Sequence, residues 1–293
     1  MKMCIRLRRA VFCLCLLTVA CNREQQPSRI DTPRLTANVT MQDVTFHSEA
    51  LRRDVQYRVV LPARINSRDK LPIIYLLHGN GGNFRDWSNY SDVAQFAERR
   101  LILVMPDGRS SYYVNAAEIP ADRYEDFIVD DLIPDVERRF PANSARSSRA
   151  IIGVSMGGYG AVKMALSHPD MFAFAGGLSS AVDVPSRPFS IRRAQQYRQH
   201  SLIFGPWSSE ARRSRDPFVL ARSVDPTKVP FMFLTCGDGE GLLAPNRQFA
   251  ALLAQRHFAY EFHTVPGAHD WNQWNQRLSQ VFQSLLAHID TEK

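Results

Sequence analysis

A serine, an acidic residue and a histidine, which together can attack a carbonyl group, occur in that order along this chain. Ser155 lies in the Gly-x-Ser-x-Gly pentapeptide at 153–157, Asp238 and Glu240 follow, and His269 comes last. A serine hydroxyl is a poor nucleophile until an imidazole takes its proton, and a buried carboxylate fixes the tautomer of that imidazole. The three residue types therefore predict nucleophilic acyl chemistry centred on Ser155.

The elements around the pentapeptide are those that such a serine requires. After Arg149, residues 150–152 are apolar and partly β-branched, so the segment 149–152 predicts a buried strand, and residues 161–166 predict an amphipathic helix. Glycines on both sides of Ser155 allow the turn between strand and helix to tighten until the hydroxyl stands clear of the sheet. We interpret the segment as a nucleophile elbow.

The acid and the histidine also follow predicted strands. The apolar run 230–236 ends at the loop that carries Asp238 and Glu240, and the alternating run 260–265 ends just before His269. Because the carboxyl ends of parallel strands meet at one edge of a sheet, these loops are expected to meet there. The chain order of serine, acid and histidine is that of an α/β-hydrolase fold, an α/β class with a mostly parallel central sheet.

Six sequence blocks resemble the esterase family that includes S-formylglutathione hydrolase (esterase D), feruloyl and acetylxylan esterases, enterochelin esterases and antigen 85. The blocks are 57–62, 76–82 with Trp87, 105–108, 153–158, 242–243 with 246–247, and 267–271 with Trp274. The resemblance runs from about Val44 to the C-terminus. It implies one α/β-hydrolase domain with helices on both faces of the sheet.

Two carboxylates remain candidates for the acid. Family members often carry Cys-Gly-x-x-Asp-x-Leu, and the catalytic aspartate of that pattern falls on Glu240 in the stretch from Cys236 to Leu242. Antigen 85 enzymes also use a glutamate in this role. Asp238 lies nearer the strand end and has the shorter reach. We interpret Glu240 as the acid and keep Asp238 as the alternative.

Two backbone N–H groups are predicted to bind the oxyanion. One belongs to Met156, directly after the nucleophile, and the resemblance places the other on Asn80 in a glycine-rich loop after the strand at 72–77. Trp271 and Trp274 flank His269. The sequence leaves open whether they line a substrate pocket or pack the last helix.

Metal and cofactor sites are not predicted. The remaining histidines have no spacing that would hold a metal on one helix face, and the chain has neither a dinucleotide-binding Gly-x-Gly-x-x-Gly motif nor a Gly-Lys-Ser/Thr loop. Basic and aromatic residues are not interleaved as in nucleic-acid-binding proteins. We expect no nucleic-acid partner.

The amino terminus has the pattern of an export signal. Basic residues precede an apolar run at 10–20 that is too short to span a bilayer, and Ala20 directly precedes Cys21. This ending resembles a bacterial lipobox, although Thr18 departs from the usual residue three places before the cysteine. The sequence predicts a signal peptide at 1–20, a lipid on Cys21, a tether at 21–40 and the catalytic domain at 41–293.

The basic charge is concentrated in one segment. The formal net charge of +7 falls to +3 without the four basic residues of the signal, and segment 183–228 holds nine Lys or Arg against four Asp or Glu. It lies between two predicted strands and resembles the helical insertion that overhangs the site in family members. A basic insertion there favours anionic or phenolic-acid substrates, or anionic lipid, unless it is an ordinary solvated surface.

These features predict an exported serine esterase of the cell envelope, anchored in the membrane if Cys21 is lipidated and secreted if it is not. Its substrate would be a small-molecule or polysaccharide-linked ester, hydrolysed through an acyl-enzyme. An acyltransferase or thioesterase could use the same three residues. A non-catalytic surface-binding lipoprotein on a hydrolase scaffold is the alternative from another functional class.

Overall fold

The computed structural model describes residues 30–66 and 68–291, and in these ranges the chain forms eight strands and nine α-helices. The strands are β1 (Val39–Ser48), β2 (Arg53–Pro62), β3 (Ile73–Leu77), β4 (Ile102–Pro106), β5 (Arg149–Val154), β6 (Phe174–Leu178), β7 (Phe231–Gly237) and β8 (Tyr260–Val265). The helices are α1 (Asp86–Tyr90), α2 (Tyr124–Asp126), α3 (Ile133–Arg139), α4 (Met156–Ser167), α5 (Ala194–Phe204), α6 (Glu210–Arg213), α7 (Pro217–Ser223), α8 (Leu243–Gln255) and α9 (Trp271–His288). A π-helical stretch, Phe127–Leu132, joins α2 to α3.

The strands form one sheet in the order β1-β2-β4-β3-β5-β6-β7-β8. β1, β2 and β4 pair antiparallel, whereas the pairs from β4 through β3 to β8 are parallel. The carboxyl ends of β5, β6, β7 and β8 therefore point to the same edge of the sheet. The predicted elbow, acid loop and histidine loop each follow one of these strands.

The sheet has an apolar core on each face. In β3, Ile73 and Tyr75 belong to one buried cluster and Ile74 and Leu76 to the other, because alternate side chains of a strand point to opposite faces. Helix α4 packs into the first cluster and helix α9 into the second. Burial on both faces explains why the central strands are continuous apolar runs rather than alternating ones.

The basic segment 183–228 is helical in the structure. Between β6 and β7 it contains α5, α6 and α7 together with two short 3₁₀ turns, Val184–Ser186 and Ile191–Arg193. We call this segment the insertion. It contains four of the six large apolar side chains that are exposed in the described residues: Phe189, Ile191, Leu202 and Trp207.

The compact unit begins earlier than the predicted domain boundary. It starts at Thr32, and β1 begins at Val39, inside the segment predicted to be a tether at 21–40. The Arg34 N–H donates a hydrogen bond to the Ser88 carbonyl, so the chain is already held against the domain there. The boundary at 41 is therefore too late. Cys21 and the predicted signal peptide at 1–20 lie outside the described residues.

No helix in residues 30–66 and 68–291 combines the length and the apolar character needed to cross a membrane. The longest of them, α9, has 18 residues, with one face buried and the other exposed. It buries one side against the sheet.

The turn between β5 and α4 depends on glycine at two positions. A Cβ on Gly153 would lie 2.1 Å from the carbonyl of Gly157, and a Cβ on Gly157 would lie 2.2 Å from the carbonyl oxygen of Leu77. These neighbours are backbone atoms, which cannot swing away as a flexible side chain can. The first turn of α4 consequently packs directly on the ends of β3 and β5.

We expect Gly157→Ala to lower the free energy of unfolding by about 2–3 kcal/mol, because the new methyl group meets the backbone of β3. Gly241→Ala is the matched control, since a Cβ there has no heavy atom within 4 Å. Its effect should stay within about 0.5 kcal/mol. Urea unfolding of both variants measures the difference, and equal stabilities would contradict the proposed close approach.

Candidate active site

Ser155 occupies a strained backbone position at the start of α4, with φ 56° and ψ −112°. Three backbone hydrogen bonds hold it there. Its N–H donates to the Leu178 carbonyl at 2.9 Å, and its own carbonyl accepts from the N–H groups of Tyr159 (3.0 Å) and Ala181 (3.1 Å). A non-glycine residue in this region costs of order 1–3 kcal/mol and persists only where the surroundings hold it. The predicted elbow has this conformation.

His269 lies between Ser155 and Glu240. Its Nε2 is 2.8 Å from the Ser155 Oγ, and its Nδ1 is 2.6 Å from the Glu240 Oε2. An ionised carboxylate can only accept, so Nδ1 carries the proton and donates it to Glu240. Nε2 is then free to accept the hydrogen bond of the Ser155 hydroxyl. This is the tautomer in which an imidazole can remove the serine proton.

Glu240 is a buried carboxylate that accepts hydrogen bonds through both of its oxygens. Oε2 accepts from His269, while Oε1 accepts from the Ser179 hydroxyl at 2.6 Å and from the Gly237 N–H at 2.7 Å. Burial by itself raises the pKa of the Glu240 carboxyl, but the hydrogen bonds from His269, Ser179 and Gly237 outweigh it. The net pKa lies below its ordinary value, and the group is therefore ionised at neutral pH.

Asp238, the alternative acid, lies on the outside of the same loop. Its side chain is exposed, and its carboxylate accepts a hydrogen bond from the Gly267 N–H at 3.2 Å. Its own N–H donates to the carbonyl of Val265. The structure thus places Glu240 against His269, and Asp238 joins the acid loop to the histidine loop.

Ser179 is a residue of this site that the sequence analysis missed. It is fully buried at the end of β6, donates to Glu240 and accepts a 2.9 Å hydrogen bond from the Trp274 indole N–H. A continuous chain of hydrogen bonds therefore runs from Trp274 through Ser179, Glu240 and His269 to Ser155. The sequence could have indicated Ser179 by its position, since it directly follows a parallel strand at the sheet edge where the other site residues lie.

The two tryptophans next to His269 occupy different environments. Trp274 is 5% exposed, and its ring meets the His269 ring edge-on at 5.1 Å. Trp271 is half-buried and packs against Trp274, Trp87 and Tyr90. Trp274 thus packs α9 beneath the site, whereas the predicted pocket role of Trp271 stays a prediction.

The loop after β3 carries the predicted oxyanion donor Asn80 past the nucleophile. A Cβ on Gly79 would lie 3.6 Å from the Cβ of Ser155, so this backbone passes close to the serine. His78 supports the loop, because its Nε2 accepts from the Gly108 N–H and its Nδ1–H donates to the Gly79 carbonyl. With both ring nitrogens engaged and the side chain buried, His78 is a structural residue.

Met156, the other predicted oxyanion donor, is the first residue of α4, where N–H groups lack a partner within the helix. Asn80 is exposed and directly follows Gly79, whose backbone passes close to the serine. The structure therefore brings both residues to the surroundings of Ser155. Nowhere in the described part of the chain do three or more His, Cys, Asp or Glu side chains form a group that could hold a metal ion.

This arrangement is competent for covalent acyl transfer. The serine hydroxyl, an imidazole in the required tautomer and an ionised carboxylate are connected by hydrogen bonds of 2.6–2.8 Å. The backbone N–H groups of Met156 and Asn80 are the predicted donors to a carbonyl oxygen that becomes negative. Such a site can form and break an ester bond through a serine-linked intermediate.

Comparison with known proteins identifies the family. Residues 48–285 match the model of the Esterase family, described as "Putative esterase". The chain is similar to an acetyl esterase of Caldicellulosiruptor saccharolyticus, 26% identical over 262 residues that cover 84% of this chain and 97% of that protein. It is also similar to an endo-1,4-beta-xylanase/feruloyl esterase of Xylanibacter ruminicola, 25% identical over 261 residues that cover 84% of this chain but 31% of that longer protein.

A solved structure shares the architecture. The fluorophosphonate-binding serine hydrolase F of Staphylococcus aureus, solved with bound substrate, superposes with a TM-score of 0.73 at 26% identity. The match covers 85% of this chain and 98% of that one. This likeness confirms the predicted α/β-hydrolase fold. The range matched by the family model, 48–285, agrees with a family resemblance that begins at about Val44.

Ser179→Ala should lower kcat for a short-chain ester by roughly 10–100-fold with little change in KM, because Glu240 loses a donor while the binding groups remain. Ser180→Ala is the matched control. Ser180 is equally buried, but its hydroxyl has no hydrogen-bond partner among the described residues. Steady-state kinetics of both variants test the role, and equal kcat values would show that Ser179 does not act through Glu240.

Proposed function

This chain belongs to the esterase family, and on that basis we propose that it is an exported serine carboxylic-ester hydrolase that works through an acyl-enzyme on Ser155. The observation that carries the mechanism is the pair of contacts made by His269, 2.8 Å to the Ser155 Oγ and 2.6 Å to the Glu240 Oε2. The catalytic chemistry follows from what each group can donate or accept.

In the first half-reaction the Ser155 Oγ attacks the ester carbonyl carbon, and its proton passes to the His269 Nε2. Glu240 keeps Nδ1 as the donor and stabilises the imidazolium that forms. The N–H groups of Met156 and Asn80 donate to the carbonyl oxygen as it becomes negative. When the carbon–oxygen bond to the leaving group breaks, His269 returns the proton to the departing alcohol and the acyl group remains on Ser155.

In the second half-reaction water replaces the alcohol. His269 removes a proton from water, the hydroxide attacks the acyl carbon, and Ser155 leaves with the proton restored. The products are the free acid and the regenerated enzyme. We infer that the substrate is an acetyl or feruloyl ester, free or on a polysaccharide, since the similar proteins are named acetyl esterase and feruloyl esterase.

Substitutions at Ser155, Glu240 and Asp238 should differ in their effect on hydrolysis of p-nitrophenyl acetate. Ser155→Ala should reduce kcat by at least about 10³-fold, because it removes the covalent route. Glu240→Gln should cost about 10⁴-fold, as expected when the imidazole is free to adopt the wrong tautomer. Asp238→Asn should keep most of the activity, because Asp238 is exposed and does not contact His269.

Labelling with a fluorophosphonate probe, followed by mass spectrometry of the modified peptide, provides an independent measurement for the same variants. The parent protein should be labelled on Ser155, and Ser155→Ala should not be labelled. Full activity of Glu240→Gln with an inactive Asp238→Asn would transfer the acid role to Asp238. Absence of labelling in the folded parent would refute the catalytic proposal and favour a non-catalytic scaffold.

We further propose that residues 1–20 are removed on export and that Cys21 carries a lipid anchor, on the basis of the apolar run that ends at Ala20-Cys21. Cys21→Ser should then abolish incorporation of labelled palmitate and move the protein from the membrane fraction to the soluble fraction. The same measurement on Cys236→Ser is the control, because Cys236 is buried in β7. Unchanged labelling of Cys21→Ser would exclude lipidation at this cysteine.

A further inference from the structure

The insertion contains a cavity of about 310 Å³ that is separate from the residues of the triad. Most of its wall comes from the segment 187–197, which includes the beginning of α5, and the remainder comes from Val184, His200 and Arg212. Four arginines line it and no Asp or Glu does: Arg187, Arg192, Arg193 and Arg212. We call this cavity the insertion pocket.

Only one of these arginines is neutralised by a carboxylate. Arg187 forms a two-pronged ion pair with Asp183, with nitrogen–oxygen distances of 2.6 and 2.7 Å. Arg192 and Arg193 are exposed at the mouth, and their guanidinium groups have no hydrogen-bond or ion-pair partner among the described residues. The pocket therefore keeps a net positive charge.

Arg212 adds a buried charge to the wall. Its side chain is only 4% exposed, and its guanidinium donates to the carbonyls of Gly205 and Pro185 and to the Ser201 hydroxyl. No carboxylate among the described residues pairs with it, and burial lowers the pKa of Arg212. A buried charge without a counter-charge is costly. An anion in the adjoining cavity would provide that counter-charge.

Aromatic side chains surround the charged groups. Phe189 and Tyr197 line the pocket and meet edge to face at 5.2 Å, while the Arg212 guanidinium lies over the rings of Tyr197 and Trp207 at 5.7 and 5.6 Å. Phe189 and Trp207 remain about half exposed. Such walls offer apolar faces to a flat ring, next to arginine forks that match the oxygens of a carboxylate or phosphate.

His200 connects the pocket to the fold beneath Ser155. The Tyr112 hydroxyl is 3.2 Å from the His200 Nε2, and the Tyr112 ring packs on Tyr159 in the first turns of α4. Burial, with the charges of Arg187 and Arg212 adding to it, lowers the pKa of His200 to about 4. The histidine is therefore neutral near pH 7, and the positive charge of the pocket belongs to its arginines.

We propose that the insertion pocket binds an organic anion in which a carboxylate or phosphate is attached to a flat ring. Arg192 and Arg193 close on the anionic group at the mouth, Arg212 supplies the charge behind it, and the ring rests against Phe189 and Tyr197. Binding in this pocket requires no covalent step and does not depend on the catalytic roles assigned to the triad.

Titration calorimetry at low ionic strength tests the proposal with four defined probes. Benzoate and phenyl phosphate should bind, benzamide should bind at least about tenfold more weakly because it lacks the charge, and inorganic phosphate should be weaker than phenyl phosphate because it lacks the ring. Equal affinity for benzoate and benzamide would overturn the anion assignment. Equal affinity for the two phosphates would overturn the ring assignment.

Substitutions at the mouth test whether benzoate binds in this pocket. The double variant Arg192→Gln with Arg193→Gln should lose at least about tenfold in benzoate affinity. Arg198→Gln is the matched control, because Arg198 is equally exposed on α5 but does not line the pocket. Hydrolysis of p-nitrophenyl acetate should be the same in both and shows that each is folded. Equal benzoate affinity in the double variant and the control would overturn the assignment.

Two further measurements distinguish anion binding from catalysis and show whether the anion is part of the substrate or a separate ligand. Ser155→Ala should bind benzoate as the parent does, since the serine is not part of the pocket. Competitive inhibition of ester hydrolysis by benzoate, lost in the double variant, would make the pocket a subsite for an anionic part of the substrate. Binding without inhibition would make it the site of a separate ligand, and either result supports the proposal.

Discussion

The backbone of Ser155 has a conformation that an L-residue rarely adopts, and the elements around it are arranged to keep it there. Its N–H and carbonyl are hydrogen-bonded to the end of β6, to the loop that follows, and to Tyr159 in the first turn of α4. Strain of this size, of order 1–3 kcal/mol, is tolerated because the sheet and α4 lose more by separating than the residue gains by relaxing. Gly153 and Gly157 allow the approach that makes those bonds possible.

The negative charge of Glu240 is stabilised by hydrogen-bond donors and not by an Arg or Lys side chain of the described part of the chain. Glu240 is buried, and hydrogen bonds from His269, Ser179 and Gly237 keep it ionised. Trp274 in turn holds Ser179. The negative charge therefore has a fixed place before any substrate arrives, which orients the imidazole without further reorganisation.

In the insertion, a buried positive charge is stabilised without a carboxylate. Arg212 is a buried cation whose partners are carbonyls, a hydroxyl and two aromatic rings, and no carboxylate among the described residues neutralises it. Such a charge leaves a positive potential in the adjoining cavity. The parallel strands β5 to β8 thus position the reacting groups, while the helices between β6 and β7 supply a surface with its own electrostatic character.

Local patterns in the sequence determined the strands, the elbow and the loops that carry Asp238, Glu240 and His269, because apolar runs and glycine turns are read over a few residues. Tertiary structure decided what depends on residues far apart in the chain. Two carboxylates two positions apart were both candidates for the acid, with Glu240 favoured only by resemblance, and the fold directs Glu240 inward toward the Gly237 N–H and leaves Asp238 exposed. Ser179 and Trp274 are 95 residues apart, and their hydrogen bond exists only because β6 and α9 pack together. The pairing of a buried arginine with aromatic rings in the insertion likewise depends on how its short helices fold back, which no periodic pattern specifies.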